Sequence, residues 1–293
     1  MLPVNSGGHA AYQKLFLSQM RKYYPDPESL ARSTWDIIER FWRLDLSQTD
    51  IILKDRYSVF GPEPRLPSCM LRSYLLSIDF KVSSITDWAA QLKANPLYAI
   101  ASGFAFGDTP GVGTFYDFFR RLWNSHSDNL NPHIHPLKPS LKKPKGRAQK
   151  AEPPEAASVE LLLQKMNAAV FPVDGQPYSI LFRLYRKQFL DVSVEKGLIS
   201  KAHLSLSGDG TPAAASARQR RHRVCDCAKK GISNCDCDRY FSQPDCDIGW
   251  DSSRSCFYHG YALYMLTASD SESDLPVFPL FGPASRHDSI GFL

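Results

Sequence analysis

His203-Leu204-Ser205-Leu206-Ser207-Gly208-Asp209-Gly210-Thr211-Pro212 alternates apolar and small polar residues, then breaks into Asp-Gly. Alternation with a period of two marks a strand with one face turned inward. It predicts a strand over 203–212 that buries Leu204 and Leu206 and leaves Asp209 at its end. The glycines beside Asp209 would let a substrate backbone come close. A carboxylate so placed suits Mg²⁺ or Mn²⁺, hard cations that take oxygen ligands and keep positions open for substrate. Asp-Gly is also a common turn dipeptide, so this stretch alone leaves the turn and the metal ligand both open.

Downstream, Phe257 to Leu266 is rich in aromatic and strand-forming residues. Leu275 to Phe281 is a further strand, and its prolines Pro276 and Pro279 assign it to an edge. His287-Asp288-Ser289 then opens a helix, with Asp288 or Ser289 near its cap. Between the first two strands lie Cys225-Asp226-Cys227 and Cys235-Asp236-Cys237. Two Cys-x-Cys pairs seven residues apart can close on one tetrahedral Zn²⁺, with Gly231 and Asn234 allowing the turn. His222 and Cys246 are substitute ligands, and a loop of uncoordinated thiols is the competing reading. Six of the seven cysteines fall between Cys225 and Cys256, which in a reducing compartment favours metal over disulfides. Just before the cluster, Arg218, Arg220, Arg221 and Arg223 can clamp DNA phosphates or line a solvated loop.

Upstream the pattern is helical. Residues 9–23 and 28–44 are expected helices, the second with Trp35, Ile38, Phe41 and Trp42 on its core face. Gly61 to Pro67 is an extended connector. Met70 to Phe80 is an apolar helix, Ser84 caps another through Leu92, and Asn95-Pro96 starts a short one that Gly103 ends. Thr114 is expected to cap a last helix through Trp123. Short helices with tight turns suit a helix-turn-helix-like fold, and Arg120 and Arg121 on the last helix can face phosphate. A plain helical bundle with surface arginines fits the same pattern. Residues 131–156 form a basic, proline-rich linker with too little apolar content to pack. Two further helices are expected at 158–169 and 178–196, the latter stopped by Gly197.

The composition narrows the class. Of 293 residues 43% are hydrophobic and 12% aromatic, enough for real cores in about two domains. Residues 1–150 carry 20 basic and 13 acidic side chains, the remainder 15 and 17. A basic front half can neutralise phosphates and an acidic back half can hold cations, although ordinary variation in surface charge gives the same asymmetry. No apolar run approaches the roughly 18 residues that cross a bilayer. Met1 to Gly8 has no secretory pattern, so the cytoplasm is the expected compartment.

Taken together, these residues resemble bacterial insertion-sequence transposases of the DDE type. In the front half the resemblance rests on Tyr57-Ser58-Val59-Phe60-Gly61-Pro62, Met70 to Leu76, and Gly111 to Phe118. In the back half it rests on Gly208 to Pro212, the cysteine insertion, Gly249-Trp250-Asp251-Ser252 and Arg286-His287-Asp288-Ser289. It implies an α+β chain: a helical, helix-turn-helix-like DNA-binding domain at 1–130, the linker, and an RNase-H-like α/β catalytic domain from 157, with an insertion at about 213–255. It implies three acids holding two divalent ions that cut and rejoin DNA. Asp209 matches the first acid, the second belongs on a fourth strand, and a glutamate in a late helix is the third. Asp251 and Asp288 do not stand where that second acid belongs. The sequence stops at Leu293 inside the helix begun near His287, so a truncated and inactive copy is expected. The implied partners are transposon ends and target DNA, with a homodimer inside the DNA complex. A non-catalytic remnant that occupies transposon ends and inhibits the full-length enzyme is the alternative, and a zinc-stabilised regulator unrelated to transposition is a third.

Overall fold

A computed structural model describes residues 8–58, 60–123, 178–200, 202–216, 222–223, 225–232, 235, 239–240 and 246–285. The expected linker, the 158–169 helix and the helix near His287 lie outside them. The chain mixes helices with an open antiparallel sheet and divides into two compact units. The first comprises residues 1–124 with 179–192, the second 125–178 with 193–293.

The first unit is helical. Its described helices are α1 (Gly8–Tyr23), α2 (Arg32–Arg43), α3 (Gln48–Ile52), α4 (Pro67–Asp79), α5 (Ile85–Ala94), α6 (Pro96–Ser102), α7 (Val112–Leu122) and α8 (Ser179–Tyr185). Helix α4 is central, packing against α2, α3, α6 and α7. It starts three residues before the expected Met70 because Pro67 stands in its first turn, where the missing N–H costs nothing. Ser84 Oγ accepts from the Asp87 amide at 3.2 Å and Asn95 Oδ1 from the Leu97 amide at 2.9 Å, so both caps are as expected. Gly103 ends α6 in the left-handed region at φ 93°. The last helix differs from expectation. It begins at Val112 with Gly111 as its cap, so Thr114 lies inside the first turn.

Trp88 and Arg72 anchor this unit. The Trp88 indole is fully buried, donates to Ser73 Oγ at 3.0 Å and stacks on Tyr98 with centroids 5.3 Å apart. Arg72, inside the apolar helix, is only 1% exposed. Its guanidinium lies 3.6 Å from the centre of the Tyr12 ring and donates to the Leu44 carbonyl at 3.2 Å. Asp50 and Asp45 supply opposite charge nearby.

Helix α8 falls with the first unit. It continues through a π-helical turn (Arg186–Leu190) into α9 (Asp191–Glu195), and Gly197 then stops it at φ 73°. Residues 179–192 group with the helical unit, not with the sheet that follows. Ile180 and Leu184 join its core, and Gln188 Nε2 donates to the buried Thr49 hydroxyl at 2.6 Å. The apolar stripe that predicted a helix could not reveal which core it would enter.

The second unit is built on β5 (Cys256–Ala268). One edge of β5 pairs antiparallel with β1 (Leu206–Ala214) over Gly260–Ala268. β6 (Leu275–Pro283) pairs antiparallel over Tyr261–Ala268, hence on the opposite edge. β4 (Asp247–Asp251) forms a hairpin with the start of β5. The three expected strands are therefore present as β1, β5 and β6. The proline-bearing β6 lies at an edge, pairing only with β5 among the described residues. The intervening segment is shorter than the expected 213–255, because β1 extends to Ala214 and β4 joins the sheet.

The burial expected for β1 is not found. Leu204 and Leu206 are 42% and 43% exposed: Leu204 precedes the ladder and Leu206 is its first residue on an outer strand. Gly208 has another role than expected. A side chain there would collide with the Tyr264 ring, so the glycine accommodates this chain's own aromatic rather than a substrate.

Candidate metal centre

The chain leaving β1 forms a second, minimal ladder. Residues 222–223 (β2) pair antiparallel with 239–240 (β3), His222 opposite Tyr240 and Arg223 opposite Arg239. This clip closes the loop 224–238, which contains both Cys-x-Cys pairs. Inside the loop Cys227–Lys230 make a 3₁₀ turn, and Gly231 reverses the chain at φ 79°. The Ile232 amide donates to the Cys227 carbonyl at 2.9 Å and locks the reversal. Any L side chain at Gly231 would be strained there, so the expected role of this glycine is met. Asn234 lies outside the described residues.

The reversal gathers three thiols. The Sγ atoms of Cys225, Cys227 and Cys235 all lie within 4.8 Å of one another, and those of Cys225 and Cys235 are 3.4 Å apart. All three residues are half-buried, and none is in a disulfide. Zinc–sulfur bonds of about 2.3 Å in a tetrahedron put sulfurs about 3.8 Å apart. The observed spacing fits one ion bound as thiolate, and soft sulfur ligands select Zn²⁺ over Mg²⁺. Among the described residues this is the only group of three or more Cys, His, Asp or Glu side chains that converges so. Cys237, the expected fourth ligand, lies outside the described residues, and of His222 only the backbone is described. Cys246 is buried at the start of β4 and is not in the group.

Asp209 is placed otherwise than expected. It is the fourth residue of nine in β1, opposite Met265, with five more strand residues after it. It is exposed, and its Oδ1 accepts from the Gly210 amide at 2.8 Å. The ladder runs on because Thr211, Pro212 and Ala214 all find partners on β5. No group of three ligating side chains includes Asp209 among the described residues. Asp288 lies outside them.

Asp251 closes the β4–β5 hairpin. Its Oδ1 accepts from the Ser253 hydroxyl at 2.6 Å, the Ser253 amide at 3.0 Å and the Arg254 amide at 3.2 Å. The Ser253 hydroxyl first, then these amides, hold the carboxyl below its ordinary 3.8 despite burial. A depressed carboxylate stabilises the fold above the unfolded value and loses that contribution as pH falls through the folded value. Wild type should therefore exceed Asp251→Asn in stability at about pH 6, and the gap should close as acid denaturation is followed below 3.8. A gap independent of pH would contradict this reading.

The expected DNA-facing arginines divide. Arg120 is exposed and pairs with Asp117 at 3.1 Å. Arg121 turns inward: its Nε donates to the Arg56 carbonyl at 3.3 Å and its guanidinium lies 4.4 Å from the centre of the Tyr57 ring. Arg218, Arg220 and Arg221 lie outside the described residues, and Arg223 is placed through its β2 backbone alone. Among the described residues no helix is long and apolar enough to cross a membrane. No protein-family model matches the chain, and no curated protein or solved structure is detectably similar to it.

Proposed function

We propose that this chain is a DNA-binding protein of the DDE transposase type, carrying a structural Zn²⁺ and acting on DNA by binding rather than by cutting. The observation that carries the reading is the trio of thiols in a clipped loop inserted between the first two strands of an antiparallel β1–β5–β6 meander. An RNase-H-like domain opens on three such strands, and Asp209 sits on the first. Zinc would be held by Cys225, Cys227 and Cys235, with Cys237 proposed as the fourth ligand. Bound there, it supplies cross-linking and no chemistry on substrate.

Binding is favoured over cutting because divalent-ion catalysis needs converging carboxylates, and Asp209 has none grouped with it among the described residues. Phosphate contact falls to the arginine run beside the clip and to α7. That helix buries Phe115, Phe118 and Leu122 and exposes Thr114, Tyr116, Asp117 and Arg120. A helix seated by one apolar face, with polar and aromatic groups on the other, suits groove or backbone contact.

Fluorescence anisotropy on labelled duplexes over a salt series tests this. Each neutralised phosphate contributes about −0.9 to the slope of log affinity against log salt. Replacing Arg218, Arg220, Arg221 and Arg223 together with alanine should flatten the slope by about 3 to 4, and Arg120→Ala by about 1. Asp209→Asn should bind like the parent, and Mg²⁺ or Mn²⁺ should produce no strand cleavage. Asp209-dependent cleavage, or binding insensitive to salt, would overturn the proposal.

A further inference from the structure

We propose that Cys225 and Cys235 are a disulfide-forming pair whose oxidation expels the metal, making the thiol centre a reversible redox-modification site. The inference rests on the zinc reading above.

The geometry selects this pair. Their sulfurs are 3.4 Å apart and must close by about 1.4 Å to reach bonding distance. Cys225 and Cys227 are separated by one residue, and a disulfide between them would close a small, strained ring. Cys225 and Cys235 lie ten positions apart on opposite arms of the loop. The β2–β3 clip holds those arms antiparallel, and the Gly231 reversal sits between them. That scaffold faces the two sulfurs toward each other while the loop is closed, so the pair stands ready for the first oxidising step. Both residues are half-buried, which leaves a small oxidant access to sulfur.

With hydrogen peroxide as oxidant the chemistry balances. The Cys225 thiolate attacks one peroxide oxygen; the O–O bond breaks, and the departing hydroxide takes up a proton. The resulting sulfenic acid is attacked at sulfur by the Cys235 thiolate; the S–O bond breaks and hydroxide leaves as water. Two thiols and one peroxide give one disulfide and two waters. The ion loses two of its three described thiolate ligands in this step, and a dithiol reductant restores them.

The test uses the full chain, purified under reducing conditions with zinc. Hydrogen peroxide is added, released zinc is read with a chromophoric chelator, and alkylated digests are mapped by mass spectrometry. The expected result is about one zinc released per chain, a peptide pair linked through Cys225 and Cys235, and recovery after reduction and zinc addition. Cys235→Ser should give no such link. Zinc retained under excess peroxide, or released with another linkage or with sulfinic acids alone, overturns the inference and leaves the zinc reading standing. A reduced chain that holds no zinc overturns both.

Discussion

Cys235→Ser should lower the zinc content of the purified chain from about one ion to below about a tenth. The expected effect is large because apparent zinc-binding energies in small cysteine sites are about 10–16 kcal/mol, and each thiolate carries a sizeable part. The three sulfurs are presented by a short loop with a two-residue ladder, one 3₁₀ turn and one glycine reversal. Such a loop has little apolar surface of its own: Ile232 is 48% exposed, and the Lys229–Asp226 pair beside it is 3.0 Å apart in the open. Exposed pairs of that kind contribute little. Without the ion the loop should open locally and be cut quickly by protease between residues 224 and 238. The meander should survive, because β5 is held by β1, β4 and β6 through ladders that do not involve the loop. Zinc analysis with limited proteolysis checks both halves. Full zinc in Cys235→Ser, or sheet loss together with the loop, would contradict the account.

Arg72→Ala should destabilise the helical unit by about 3–5 kcal/mol, the range for removing one partner of a buried charge network or for opening a core cavity. The substitution removes the cation over the Tyr12 ring and the hydrogen bond to Leu44. It also takes a countercharge from Asp45 and Asp50. Asp50 is the costlier of the two, since burial already raises its carboxyl while the Ser68 amide and hydroxyl hold it at 2.7 and 2.8 Å. Arg72→Lys should recover only part of the loss, because an ammonium keeps the charge but not the planar stacking. Urea unfolding followed by tryptophan fluorescence would report the change through Trp88, buried in the same core. An Arg72→Ala chain within about 1 kcal/mol of the parent would show that the network is not supporting the fold.

These two residues show how differently the sequence exposed its content. The cysteine loop was readable because metal ligation leaves a local signature, two pairs at fixed spacing with a glycine between. Gly231 reverses the chain and three of the four thiols converge as that spacing implied. Arg72 was hidden inside an apolar run, since nothing local tells that an arginine points into a core built from α1, α3 and α4. Caps were legible at Ser84 and Asn95 for the same local reason. The fate of 179–192 was not, because the choice between two cores depends on partners more than a hundred residues away, such as Thr49. Alternation located β1 and strand-forming composition located β5, while β6 was read as a strand whose prolines put it at an edge; yet the alternation set the end of β1 at Asp209 when the ladder with β5 carries it five residues further. Strand ends depend on what the partner strand offers, and here Gly260 to Tyr264 continue the pairing.

The thiol centre is the feature on which the functional reading stands. Zinc K-edge X-ray absorption on the full reduced chain measures it most directly. The account predicts about one zinc per chain with at least three sulfur neighbours at about 2.3 Å. A shell of nitrogen and oxygen alone, or a chain that binds no zinc, would contradict it.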